Sequence, residues 1–190
     1  MESLKQKILA EGRVIGEDIL KVDGFLNHQI DVRFLEEVGK EIKKRFEDTK
    51  VDKILTVESS GIAIASVAAK YFDYVPVVFA KKATPNTMVE GCYSAEARSF
   101  TKGTVSNLRV VKRFIEEGEK ILIVDDFLAS GEAAAALVKI VRKAGAEVVG
   151  VSCVIEKGFQ EGGARLREMD CRVESLAVIK AFENGKIIFE

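Results

Sequence analysis

Residues 121–134 read ILIVDDFLASGEAA, a run of aliphatics, two adjacent aspartates, and small residues leading into an alanine-rich segment. Ionised and unpaired, Asp125 and Asp126 would repel each other, so that strand end has to supply hydrogen-bond donors or positive charge. The hydroxyls of a sugar would do so, and so would a metal ion. Ala129, Ser130 and Gly131 come next and carry little or no side chain, which lets backbone N–H groups approach a ligand closely. A helix starting there adds the positive end of its dipole, and amides and dipole together make a cradle for an anion of phosphate size. Glu132 brings a carboxylate into that cradle, so its backbone N–H is expected to serve while its side chain points outward. On residue types alone, a strand end followed by a tight turn and a helix start explains the segment equally well.

Four other stretches have residue types that suit a ligand. VESSGI (57–62) is a turn of small residues in which Ser60 and Gly61 present amides, although Ser59 or Ser60 as a helix N-cap accounts for it too. Lys81 and Lys82 leave an apolar run and are, taken alone, a solvated charge pair. EKGF (156–159) places the Lys157 ammonium, a donor to a ring carbonyl, beside Phe159, a ring that can stack on a flat base. LKVDGFLNHQID (20–31) has no helical period, and its Asn27 carries both a donor and an acceptor, the equipment for reading an oxo group. Asn is also a common turn residue, which is the plainer reading of Asn27. Glu58 and Glu156 flank these loops and could support Lys157 or a cation. His28 is the only histidine, so a histidine-based triad or a histidine-rich metal site is set aside.

These residues need elements to position them. Leu35, Val38, Ile42 and Phe46 recur at three- and four-residue spacing, which predicts a helix from Asp31 to Phe46 with Asp31 as its cap. KILTV (53–57), PVVFA (76–80), ILIV (121–124) and EVVGVSCVIEKG (147–158) read as buried strands, with GIAIASVAAKYF (61–72) and an alanine-rich helix ending near Ala144 between them. SLAVIKAF and GKIIFE add strands at the C-terminal end. Alternation of strand and helix, with continuous Val/Ile runs, predicts an α/β fold with a mainly parallel sheet flanked by helices. Ligands of such sheets collect beyond the carboxyl ends of the strands, where ESSG, DDFLASGE and EKGF all fall. MESLKQKILAEG predicts a short N-terminal helix capped by Ser3 and stopped by Gly12. KKATPNTMVEGCYSAEARS (81–99) is expected to be a long loop, passing into strand pairs from about Arg98 to Lys112.

Composition narrows the function classes. The 190 residues are 47% hydrophobic and 31% charged, with a net charge of -1, values typical of a globular chain with a full core. The charge balance and the lack of a basic cluster speak against a nucleic-acid partner. The charged residues Glu2, Lys5, Lys7 and Glu11 speak against a signal peptide or membrane span at the N-terminus. Three scattered cysteines without CxxC spacing suggest neither a disulfide framework nor a zinc site, and a cytoplasmic location fits best.

VDDFLASGEAA resembles the signature by which type I phosphoribosyltransferases bind phosphoribosyl pyrophosphate (PRPP): aliphatics, an acidic pair, two spacers, a small residue, Ser or Thr, and Gly. LKVDGFLNHQID, TVESSGIA, VPVVFAKK, SFTK, VIEKGFQ and RVESLA extend the likeness over nearly the whole chain, to the bacterial branch of that family that acts on xanthine. The resemblance implies the type I phosphoribosyltransferase fold as a single domain over 1–190, with an N-terminal hood over the base to which 12–31 and the C-terminal segment contribute. It implies Asp125 and Asp126 as catalytic residues on the ribose hydroxyls. Ala129, Ser130, Gly131, Glu132 and Ala133 would hold the 5'-phosphate, and Ser60, Gly61 and Lys81 the pyrophosphate. Leu20, Asn27, Lys157 and Phe159 would hold xanthine, Leu20 through its backbone. Mg2+ bound with PRPP, a long loop after Lys82 closing over the reactants, and a homodimer are implied in the same way. Hypoxanthine-guanine enzymes of the family carry an aspartate where this chain has Ala129, so no side-chain general base is assigned. Adenine enzymes share that alanine, which keeps adenine open as the base, and some purine repressors use the fold to sense PRPP without catalysis.

Overall fold

The computed structural model describes residues 1–16, 18–82, 91–99, 104–183 and 185–190. An N-terminal helix, α1 (Glu2–Glu11), leads into a small antiparallel hairpin, β1 (Arg13–Ile15) and β2 (Ile19–Lys21), then a π-helical turn over Asp23–Asn27 and the long helix α2 (Val32–Arg45). The central sheet takes β3 (Lys53–Val57), β4 (Val77–Ala80), β7 (Lys120–Leu128), β8 (Glu147–Lys157), β9 (Val173–Glu183) and β10 (Lys186–Phe189). The intervening helices are α3 (Ser60–Ala69), α4 (Glu132–Lys143) and α5 (Gly162–Glu168), and a second hairpin is formed by β5 (Cys92–Ser99) and β6 (Thr104–Val111). Strand order is β10-β9-β8-β7-β3-β4, every pair parallel except β10 with β9.

The apolar runs are continuous because the sheet is covered on both faces. On one side α1, α2, α3 and the π-turn pack on Ile54, Leu122, Val124 and Val154. On the other, α4, α5 and the β5–β6 hairpin pack on Leu55, Ile121, Ile123 and Val151. Leu35, Val38, Ile42 and Phe46 are all buried, as their spacing predicts, and the Asp31 carboxylate caps α2 by accepting from the Phe34 N–H at 3.0 Å. Gly145, at φ +75, stands two residues after α4.

Three expectations are corrected and one element is added. Ser3 is not a cap: α1 starts at Glu2, with Met1 at the cap position and its ammonium bonded to the Leu176 carbonyl of β9. The hairpin begins at Cys92 rather than near Arg98, with buried Ala95 and Ala97 alternating with exposed Glu96 and Arg98. α5 was not foreseen, since it opens on two glycines, poor helix formers whose room is needed because a Cβ on Gly163 would lie 2.1 Å from Glu156 Oε1. Finally, β7 continues past ILIV to Leu128, because Asp125, Phe127 and Leu128 still pair with Cys153, Ile155 and Glu156 of β8. The core of the long loop, 83–90, and FTKG (100–103) lie outside the described residues.

Candidate active site

Asp125 and Asp126 sit inside β7, and their carboxyls remain close enough for the Asp126 charge to act on Asp125. Both are nearly enclosed, 6% and 9% exposed. Asp125 Oδ1 accepts from the Asp126 N–H at 3.0 Å, and Asp126 Oδ2 accepts from Asn27 Nδ2 at 3.1 Å. Burial, and after it the neighbouring Asp126 charge, push the Asp125 carboxyl well above the ordinary aspartate range; the Asp126 N–H and the Lys82 charge pull the other way. The pair can accept hydrogen bonds from vicinal hydroxyls and stabilise positive charge nearby.

Immediately downstream, the chain turns through Ala129 and Ser130 to Gly131, whose φ of +75 starts α4. This turn needs glycine twice over. The left-handed backbone disfavours a side chain, and a Cβ there would lie 2.8 Å from Gly162 Cα. Gly162 in turn donates its N–H to the Ala129 carbonyl at 2.9 Å, so α5 fixes the turn from outside. Among the described residues the N–H groups of Ser130, Gly131, Glu132 and Ala133 have no partner, the orphan donors of a helix start gathered at a glycine turn. The Glu132 carboxylate is drawn away from them: Oε1 pairs with the Arg165 guanidinium of α5, and Oε2 accepts from the Arg98 N–H of β5 at 3.3 Å. Burial works to raise the Glu132 carboxyl, but the Arg165 hydrogen bond and the Arg98 amide outweigh it and hold it below the usual range.

The turn after β3 contains a cis peptide between Glu58 and Ser59. Ser59 occupies the N-cap position of α3, although its hydroxyl makes no capping bond. Gly61 is required by space, for a Cβ would fall 2.0 Å from Thr56 Oγ1 and 3.3 Å from Asp125 Oδ1, so this turn and the acid pair abut. Glu58 Oε1 accepts from the Lys82 N–H at 2.6 Å, tying the turn to the end of β4. Lys81 is held by its backbone to Arg109 of β6, and its ammonium lies over the Phe79 ring, 5.9 Å from the centroid. The charge of its neighbour Lys82 acts on Asp125.

At the end of β8, Lys157 Nζ donates to the Asp18 carbonyl of the N-terminal hairpin at 2.6 Å, and burial lowers its pKa. Phe159 is half-exposed, stacks edge-to-face on Phe182 at 5.7 Å, and with Ser130, Gln160 and Glu161 lines an open cleft of about 400 Å³. The cleft therefore joins the aromatic candidate to the anion turn. Leu20 lies in β2 opposite Val14 with its side chain in the core. Glu156 is occupied by Ser175 and lies 3.9 Å from Arg167, so it does not support Lys157. His28 is exposed at the end of the π-turn.

The structure thus brings Asn27 to the acid pair and Phe159 to the anion turn, and it places Gly61 against Asp125. Sequence reasoning missed Gly162, Arg165 and Asp18, none of which carried a local signal, and it named Lys82 beside Lys81 but kept only Lys81 as a candidate. Among the described residues no group of three or more His, Cys, Asp or Glu could hold a metal by itself, and no helix is long and apolar enough to cross a membrane.

Residues 27–183 match the model of the phosphoribosyl transferase domain. The chain belongs to the phosphoribosyltransferase family. At 55% identity over 190 residues, with both chains fully covered, this phosphoribosyltransferase is similar to xanthine phosphoribosyltransferase 1 of Clostridium perfringens. It is as similar, 55% over 189 residues and again over the full length of both, to xanthine phosphoribosyltransferase of Clostridioides difficile. Among solved structures, adenine phosphoribosyltransferase of Rhodothermus marinus superposes with a TM-score of 0.75 at 21% identity, over 94% of this chain and all of that one. The fold is that of the type I phosphoribosyltransferases.

Proposed function

We propose that this phosphoribosyltransferase joins xanthine to the phosphoribosyl group of PRPP, releasing pyrophosphate and forming xanthosine 5'-monophosphate in purine salvage. The observation that carries the reading is the succession, on one strand end, of two enclosed carboxylates and a glycine-started helix whose first N–H groups have no partner among the described residues. In this reading Asp125 and Asp126 hold the ribose 2'- and 3'-hydroxyls, and Ala129, Ser130, Gly131, Glu132 and Ala133 hold the 5'-phosphate. Ser60 and Gly61 face the pyrophosphate, with Lys82 joining or replacing Lys81. Xanthine lies between Phe159 and the hood, its carbonyls taken by Lys157 and Asn27 and by the backbone of Leu20. The whole of 1–190 acts as one domain, with 12–31 and the C-terminal segment forming the hood.

A purine nitrogen attacks the anomeric carbon as the bond to pyrophosphate breaks, and the purine gives up a proton to the surroundings. The ring gains cationic character on the way, and the buried carboxylates stabilise it where little water competes. The turn contains Ala129 and no aspartate, so no side chain is assigned as base, and the acidity of xanthine lowers the need for one. Carboxylate oxygens are the donor type that suits magnesium, which PRPP and water would mostly hold beside Asp125 and Asp126 and which would neutralise leaving-group charge. A cytoplasmic homodimer completes the reading.

Measuring pyrophosphate release from PRPP and Mg2+ with xanthine, with adenine and with no base tests it. Release with xanthine alone is expected. Release with adenine would favour the second reading, which the alanine at 129 supports, and binding of PRPP without turnover of any base would point to a sensor.

A further inference from the structure

The least expected side chain in the anion turn is Glu132. Its N–H is among the donors of this turn that have no partner among the described residues, and its carboxylate, left to rotate freely, would stand among them and repel the group they are shaped to hold. What prevents this is a pair of contacts reaching in from other elements: the Arg165 guanidinium of α5 on Oε1 and the Arg98 N–H of β5 on Oε2. Arg165 is well placed for the task. It is one turn into a helix whose Gly162 is itself pressed against Gly131 and bonded to the Ala129 carbonyl, so the residue that fixes the backbone of the turn and the residue that holds its carboxylate belong to one short element. Its side chain is 29% exposed and that of Glu132 19%, so the pair is shielded enough for its charges to matter. The nearest other acid to the guanidinium, Glu161, is 88% exposed and 3.8 Å away, a weak competitor.

We infer that Arg165 is a positioning residue for the phosphate site: it turns the Glu132 carboxylate out of the amide turn and neutralises it, so that the turn can accept a phosphate monoester. The inference rests on the assignment of 129–133 to the sugar phosphate and is independent of which base is used. It also explains why a helix start built for an anion tolerates an acid in its first turn.

The test uses ribose 5-phosphate, which carries the phosphate and lacks both pyrophosphate and base, with calorimetric titration of the full chain. Arg165→Gln is expected to weaken binding about tenfold, as one uncompensated like charge beside a bound anion should. Adding Glu132→Gln to Arg165→Gln is expected to recover most of that loss, since the carboxylate to be held away is then gone. KM for PRPP should follow the same pattern while kcat changes less than about twofold, because the group acts on ground-state binding. If Arg165→Gln binds ribose 5-phosphate like the parent protein, or if the double variant is as weak as the single one, the inference is overturned; the second result would mean that Arg165 supports the fold or touches phosphate itself. Failure of the parent protein to bind ribose 5-phosphate would instead overturn the phosphate assignment, and failure to turn over xanthine with binding intact would overturn only the choice of base.

Discussion

Asp125 to Ala133 form one unbroken stretch on a central strand and the helix that follows it, with β7 covered on both faces. Leu20, Asn27, Lys157 and Phe159 come instead from a two-stranded hairpin, a π-turn and the far end of β8, joined by single contacts such as Lys157 to Asp18 and Phe159 to Phe182. In the first region backbone position is set by sheet pairing and by the glycine contact between Gly131 and Gly162, so donors are preorganised before a ligand arrives. In the second, the polar groups are satisfied by the protein's own carbonyl and carboxylate, which a base bound as proposed would have to displace. The contrast separates a part suited to common sugar-phosphate chemistry from a part suited to choosing a base.

The contrast can be broken most forcefully at Asp126. Asp126→Asn keeps shape and hydrogen bonding but removes charge, and it should lower kcat by roughly a hundredfold or more while changing PRPP affinity much less; steady-state kinetics giving the reverse split would remove the charge-stabilising role. Next in size, Lys157→Met should raise KM for xanthine by about thirtyfold, the cost of enclosing an oxo group with no donor to meet it, and leave ribose 5-phosphate binding as it was. An equal loss for both ligands would mean that the two regions are not separable. Asn27→Ala should cost about fivefold in KM for xanthine, the scale of a neutral hydrogen bond, with a small drop in kcat from the loss of its contact to Asp126.

The last prediction concerns stability. The folded-state pKa of Asp125 is raised above the 3.8 of an ordinary aspartate, so between the two values the native state binds more protons than the unfolded chain. Stability should therefore fall as pH rises through that window, the cost being fully present above the folded-state pKa. Asp125→Asn should remove this fall and raise Tm at neutral pH even as it abolishes turnover. A variant whose Tm follows pH as the parent does would show that Asp125 is not the group responsible.

How much of this was legible follows from the same contrast. KILTV and the acid-pair segment were readable because strand, charge and glycine fall in one short window, and α2 because four large apolar residues keep helical spacing. The β5 strand was harder, since its inward residues are alanines too small to stand out from the polar residues between them. α5 was invisible, as its position is imposed by Gly162 on Gly131 and Gly163 on Glu156 and not by propensity. Arg165, Asp18 and Asn27 find their partners across 33, 139 and 99 positions of chain, a separation that no local pattern encodes.

With Lys157 assigned to the base as proposed, its bond to the Asp18 carbonyl has a consequence for selectivity. A purine that offers an oxo group exchanges one acceptor for another at the ammonium, so a correct match gains little enthalpy from that single exchange. A purine that offers an exocyclic amine at the same place evicts the carbonyl and returns nothing, leaving a half-buried cation facing a donor. Discrimination would then arise less from rewarding the right base than from penalising the wrong one, with the hairpin's own backbone setting the standard that any entrant has to equal.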